Sequence, residues 1–247
     1  APAAIIAASC QVETFDNQLC RDLEDVCINT FDPVEPLPGD AGKSLDAIRA
    51  TAGRIISDGK FVVGLGGEHT VTFPLVQAAA EAHGTLHVLQ IDAHLDLRDV
   101  WEGNPWNHAC VMRRVVDAGH TVVPVGIRNV SAEEHKFITR TRLDPFFARE
   151  IVGREDWQSE VLDRLVDPVY ITIDTDGFDL SVISSVGTPE PGGLGWAETL
   201  DLLRDVFEQK RVVGCDVVEL APDEHDEASN FTAARLVAKL IAYHEFL

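Results

Sequence analysis

The pattern that most narrows the fold is a series of short, continuously apolar runs, each separated from the next by a stretch of helical periodicity. "FVVGLG", "LHVLQID", "TVVPVGI", "PVYITID" and "RVVGCDVVEL" are short, rich in β-branched residues and flanked by turn-forming residues, so they read as strands. "TFPLVQAAAEAHG", "NHACVMRRVVDAG", "SAEEHKFITRT", "EDWQSEVLDRLV" and "GWAETLDLLRDVFEQ" read as helices. "SLDAIRATAGRIISDG" predicts a helix started by Ser44 and stopped at Gly59, and "NFTAARLVAKLIAYHEF" predicts a closing helix. Strands apolar on both faces and separated by helices belong to a mostly parallel sheet covered on both sides. There is no internal repeat, low-complexity stretch or linker, so residues 1–247 read as a single three-layer α/β/α domain.

Ligands of such sheets bind beyond the carboxyl ends of the strands, and three of the predicted strands end there in ionisable side chains. "FVVGLGGEH" ends in His69, "LHVLQIDAHLD" in Asp92, His94 and Asp96, and "PVYITIDTD" in Asp174 and Asp176. Alternate residues of an extended chain share a side, so Asp92, His94 and Asp96 can converge on one point. Singly, each group has a plainer reading. A histidine after a Gly-Gly turn is usually a loop residue or helix cap, and Asp-x-Asp after a strand often caps a turn. Together, four aspartates and two histidines at one edge would repel one another unless cations neutralised them. That is too many carboxylates for one ion and about right for two. Oxygen-rich ligands with one imidazole per ion suit Mn2+ better than a sulfur-bound structural zinc. Paired ions of this kind lower the pKa of a shared water towards neutrality, so the reaction class is metal-assisted hydrolysis.

A net charge of −21 argues against nucleic acid or an anionic membrane surface as a partner and suits the attraction of a small cation. Lysine is scarce, at positions 43, 60, 136, 210 and 239 only, a bias that fits a salt-adapted host and an ordinary acidic cytosolic protein about equally. Five cysteines without C-x-x-C or zinc-ribbon spacing read as reduced thiols of a cytoplasmic protein. No apolar run approaches the roughly 18 residues needed to cross a bilayer, and "APAAIIAAS" carries no basic leader.

Five ordered motifs, "GGEHT", "DAHLD", "ITIDTDGFD", "GTPEPGG" and "DVVELAP", spanning residues 66 to 222, resemble those of the ureohydrolases, the family of arginases and agmatinases. The resemblance implies an arginase-like fold with a binuclear manganese centre. One ion would be held by His69, Asp92, Asp96 and Asp174, and the other by Asp92, His94, Asp174 and Asp176, with Asp92 and Asp174 bridging. His108, in "NPWNHACVMRR", falls where the family has a proton-shuttling histidine on a mobile loop, work suited to an imidazole. Glu219, in "DVVEL", falls where the family has a carboxylate that grips the guanidinium. Their plainer readings are a surface histidine capping the next helix and a structural salt bridge.

The family also implies a first strand and a substrate-side loop that "APAAIIAASCQVETFD" does not supply, and a homo-oligomer, trimer or hexamer. Leu180 replaces the usual proline after Asp179, and Asn107 stands where agmatinase-like sequences often carry a small residue. Arginases carry a polar segment that reads the amino-acid head group, whereas this chain has "EGNPWNHA", with Pro105 and Trp106 intruding. A small cationic guanidino substrate is therefore expected, agmatine first, cleaved to urea and putrescine. Arg98 is the feature that favours 4-guanidinobutyrate instead, unless it pairs with Asp99 or Glu102. A metal-binding but inactive paralogue and a binuclear amide hydrolase are the alternatives of other classes.

Overall fold

The structure, a computed structural model, describes all residues 1–247. In chain order the elements are α1 (Pro2–Ser9), β1 (Phe15–Asp16), β2 (Arg21–Asp22), α2 (Ala41–Ser57), β3 (Val63–Leu65), α3 (Thr72–His83) and β4 (His87–Ile91). There follow α4 (Val111–Asp117), β5 (Thr121–Ile127), α5 (Ala132–Thr141), β6 (Phe146–Phe147), α6 (Ala148–Ile151) and α7 (Trp157–Arg164). The chain ends with β7 (Val169–Asp174), α8 (Trp196–Gln209), β8 (Val212–Val218) and α9 (Glu227–Phe246).

Six strands form one sheet in the order β3-β8-β7-β4-β5-β6, every pair parallel, while β1 and β2 make a small separate hairpin. Strand alternation divides the core into two halves. Leu89, Ile91, Val123, Val125, Ile171, Ile173 and Val217 pack under α1, α7, α8 and α9 on one face. Val88, Val122, Tyr170 and Val213 face the other way, towards α2, α3, α4 and α5. The expected three-layer α/β/α architecture with a parallel sheet is the one found.

The predicted elements are present, and their boundaries move for local reasons. α2 begins at Ala41 because the Asp40 carboxylate accepts from the Lys43 N–H, so Asp40 and not Ser44 is the N-cap. Likewise α9 begins at Glu227, capped by Asp226 onto the Ser229 N–H. The segment read as one helix over 107–119 is a 3-10 turn, His108–Cys110, leading into α4. Five short elements carried too little pattern to be read: α1, which buries Ile5 against α9, the hairpin strands β1 and β2, the two-residue edge strand β6, and the one-turn helix α6. All five cysteines are free, with Cys110 and Cys215 buried, and no helix is long and apolar enough to cross a membrane.

Tight passages at the carboxyl edge identify where the backbone tolerates no side chain. A Cβ on Gly193 would lie 2.5 Å from the Phe178 carbonyl carbon and oxygen, whereas one on Gly53, within α2, meets nothing within 4 Å. Gly193→Ala is therefore expected to destabilise by about 1–3 kcal/mol through overpacking. Gly53→Ala is expected to stabilise by roughly 0.5–1 kcal/mol through helix propensity. At about 2–4 °C per kcal/mol for a chain of this size, thermal melts should move in opposite directions; a shared sign would refute the packing argument.

Candidate functional site

The four strands β3, β8, β7 and β4 are neighbours, and each delivers one ionisable residue at or just past its carboxyl end: His69, Glu219, Asp174 and Asp92. Asp176, His94 and Asp96 follow in the turns immediately beyond. The sequence thus places all six expected metal-site residues at one edge; folding brings five of them into two overlapping clusters, and Asp96 joins through its contact with His69. In one, ligand atoms of His69, Asp92 and Asp174 lie within 4.8 Å of one another; in the other, so do those of Asp92, His94 and Asp176.

At the deep end, His69 Nδ1 lies 3.1 Å from Asp96 Oδ2, 3.3 Å from Asp174 Oδ2 and 3.4 Å from Asp92 Oδ2. His69 is fully buried, yet this nitrogen has no hydrogen-bond partner. Its other ring nitrogen, Nε2, is fixed 2.9 Å from Thr172 Oγ1. Thr172 in turn donates to Asp216 Oδ1 at 2.7 Å, as Thr72 does at 3.1 Å, and the Tyr170 hydroxyl donates to Asp216 Oδ2 at 2.8 Å. The imidazole is thereby held with Nδ1 aimed at three carboxylate oxygens. At the outer end, His94 Nδ1 lies 3.0 Å from Asp176 Oδ2, and His94 is half-buried.

The carboxylates are oriented by backbone and side-chain donors. Asp92 accepts from the His94 N–H at 2.6 Å and from Gln90 Nε2 at 2.9 Å. Asp174 accepts from the Asp176 N–H at 2.8 Å, and Asp176 accepts from the Ala93 N–H at 3.0 Å and Thr188 Oγ1 at 3.1 Å. Behind them Arg128 spends its guanidinium on main-chain carbonyls, including those of Asp176 (2.6 Å) and Glu190 (2.7 Å). Asp96 and Glu219 both adopt positive φ, 53° and 63°, a costly conformation for non-glycine residues that the surrounding bonds impose.

No lysine or arginine side chain forms an ion pair with these four aspartates. Burial, and then the neighbouring carboxylates, push Asp92 and Asp174 well above the usual carboxylate range. Burial disfavours a charged His69, but its contacts with Asp174 and Asp96 outweigh this and raise its proton affinity well above the ordinary value. His94 rises to about 9, with burial opposed by Asp176. Asp176 alone falls, because His94 overcomes the effect of its burial. Without a cation the cluster can relieve its repulsion only by taking up protons. Four carboxylates, three of them oriented by hydrogen bonds, and two imidazoles, one with an orphaned buried nitrogen, are a donor set that fits divalent ions.

Glu219 stands beside the cluster. Its Oε1 accepts from the His69 N–H at 2.6 Å, Oε2 has no partner in the protein, and burial raises its pKa. It forms no salt bridge with a basic side chain, so the plainer reading of Glu219 is not what the fold builds. His108 sits at the rim, about 41% exposed, in a loop tied down where the Arg98 N–H donates to the Ala109 carbonyl at 3.0 Å. Asn107, not His108, caps the turn, accepting from the Ala109 N–H. Trp106 leans on Phe73 with ring centroids 5.7 Å apart. Arg98 makes neither of the ion pairs expected of it. Its guanidinium lies over Trp101, 4.3 Å from the ring centroid, while Asp99 pairs with Arg114 at 2.6 Å.

Several supporting residues escaped the sequence reading. Thr172 and Asp216 look like ordinary interior strand positions, although Thr172 lies two residues before Asp174 and so shares its side of β7. Glu68 is in the "GGEHT" motif itself, next to a residue that was singled out. Arg128 and Gln90 carry no local signal.

A model of the Arginase family matches residues 1–243. The N(1)-aminopropylagmatine ureohydrolase of Synechocystis is 40% identical over 98% of this chain and 81% of its own length. The agmatinase of Bacillus anthracis is 35% identical, over 97% and 83% respectively. The crystal structure of the agmatine ureohydrolase of Thermoplasma volcanium superposes with a TM-score of 0.88 at 30% identity, covering 99% of this chain and 82% of that one. The chain belongs to the arginase family: it is a metal-dependent, agmatinase-like ureohydrolase acting on guanidino compounds.

Proposed function

We propose that the cluster holds two divalent ions, Mn2+ being the best match to its donors, and that the chain hydrolyses agmatine to urea and putrescine. The observation that carries the reading is His69 Nδ1, buried, unpartnered and within 3.4 Å of three carboxylate oxygens. One ion is assigned to His69, Asp92, Asp96 and Asp174, the other to Asp92, His94, Asp174 and Asp176. Bound ions of this kind supply an activated water near neutral pH and neutralise the carboxylates.

The chain's own groups have the remaining tasks. Glu219 presents an uncommitted carboxylate oxygen, and a guanidinium is the cation whose planar donors best match a carboxylate. His108 is the rim group able to pass a proton to the departing amine, since an imidazole exchanges protons near neutral pH. At the mouth, Trp106 offers an apolar wall, and Arg98 is engaged by Trp101. An alkylamine tail suits that wall better than an α-amino-acid head group, whose buried charges would need fixed polar partners. The net charge of −21 further favours a dication.

A second substrate is N(1)-aminopropylagmatine, which shares agmatine's guanidinium end. The specific observation in its favour is the 40% identity with the Synechocystis relative that bears that name. Urea release by the Mn2+-loaded protein, measured side by side on both compounds, arginine and 4-guanidinobutyrate, tests the reading. Agmatine is expected to give the highest kcat/KM, and N(1)-aminopropylagmatine in first place would select the second reading. A higher value for arginine or guanidinobutyrate would overturn both.

The pKa shifts give the metal-free protein a pH dependence of definite sign. A carboxylate raised on folding leaves the native state unpenalised at low pH and costs it stability as pH rises through the elevated value. His69 and His94, also raised, contribute most below about 6.5, and that contribution fades as pH passes the folded value, about 9 for His94. Asp176, lowered, contributes constantly above its unfolded value and does not alter the trend. Between pH 6 and 9 the melting temperature of chelator-stripped protein should therefore fall. Saturating Mn2+ should restore it most at the alkaline end, where no proton competes. A metal-free melting temperature that is flat or rises over this window contradicts the assignment.

A further inference from the structure

We infer that Glu68 is a positioning residue for His108: one carboxylate seizes both the main chain and the ring of the histidine and sets which ring nitrogen faces the reaction. The inference rests on the proton-transfer role proposed for His108.

Glu68 is the N-cap of the 3-10 turn that carries His69, and its Oε2 accepts from the Thr70 N–H at 2.9 Å. That bond fixes the carboxylate to the frame of the metal-site histidine next to it in sequence. Its other oxygen, Oε1, reaches across 40 residues of chain to the rim loop, accepting from the His108 backbone N–H and lying 3.2 Å from His108 Nδ1.

The consequences follow from the inventory of the imidazole. In the neutral ring one nitrogen donates and the other accepts. An acceptor-only carboxylate at Nδ1 selects the tautomer that bears its proton there, leaving Nε2 as the nitrogen that can take a proton from, or return one to, the substrate. The logic is that of a carboxylate orienting a histidine in acyl-transfer triads, where the partner holds tautomer and ring orientation without reacting. A half-exposed ring would otherwise spread over several rotamers, since immobilising a side chain costs entropy. Asn107 commits its Oδ1 to the Ala109 N–H, whereas Glu68 is the carboxylate that meets the ring. The same residue thereby ties the rim loop to the turn bearing His69, linking the proton-handling group to the floor of the site.

The test uses Mn2+-loaded full chain with agmatine and four proteins: wild type, Glu68→Gln, His108→Ala and the double variant. Glu68→Gln keeps the side-chain length and an acceptor oxygen but removes the charge and half of the acceptors. It should lower kcat by at least about 10-fold, between the 10- to 100-fold scale for carboxylates that orient metal-bound histidines and the roughly 10⁴-fold scale of acyl-transfer triads. KM should change less than about threefold, and metal content should be unchanged. The double variant should be no slower than His108→Ala alone, because a residue that acts through the imidazole has nothing to position once it is gone. The inference is overturned if Glu68→Gln turns over like wild type, if the two losses multiply, or if Glu68→Gln sheds metal. Full activity in His108→Ala would instead remove the proton-transfer reading beneath it. Loss in His108→Ala with an unaffected Glu68→Gln would leave that reading standing and discard Glu68 alone.

Discussion

Electrostatic repulsion among Asp92, Asp96, Asp174 and Asp176 is the constraint to which the rest of the carboxyl edge responds. Two like unit charges about 4–5 Å apart cost roughly 3–4 kcal/mol at an effective dielectric near 20; an Asp92 oxygen lies within 4.8 Å of one of Asp174 and one of Asp176, and no lysine or arginine pairs with any of the four. A native state has only about 5–15 kcal/mol of net stability, so an edge built this way needs compensation from protons or cations. The chain's investment in orientation favours cations. Backbone N–H groups aim Asp92, Asp174 and Asp176, and a buried chain from His69 through Thr172 to Asp216 fixes the imidazole in one pose.

The sheet makes this concentration possible. Parallel strands begin and end together, so four neighbours deliver their carboxyl-terminal side chains to one line. Both faces are buried under helices, which leaves the strands little freedom to splay apart. Beyond the strand ends, the turns are held by groups that never touch a ligand atom. Arg128 gathers the carbonyls of Asp176 and Glu190, and Asp226 ties the segment at Ser184 and Ser185 to the start of α9. Such scaffolding keeps the donors within the small tolerance that catalysis demands.

Much of this was legible in the sequence, for a physical reason. Hydrophobic periodicity gives strand and helix order directly, and a run such as "LHVLQIDAHLD" announces both a buried strand and a polar terminus. The six metal-site candidates were legible because charged residues abutting apolar strands are conspicuous. What stayed hidden depends on contacts between distant segments. Asp216 is an acid inside an apolar strand, and nothing nearby shows that Thr172, Thr72 and Tyr170 will satisfy it. Glu68 finds His108 only after folding, across 40 residues. Arg98 was expected to choose between carboxylates, and an aromatic ring took it instead. The helix α1 lacks an amphipathic pattern altogether, its residues being almost uniformly small or apolar, and only its docking against α9 defines it.

Metal stoichiometry tests the central claim most directly. Protein saturated with Mn2+, freed of loose ions by gel filtration and subjected to elemental analysis should contain two manganese per chain. Asp174→Asn, which removes a carboxylate assigned to both ions, should retain fewer than one. Wild-type protein holding one ion or none, or an Asp174→Asn variant that still holds two, would contradict the account.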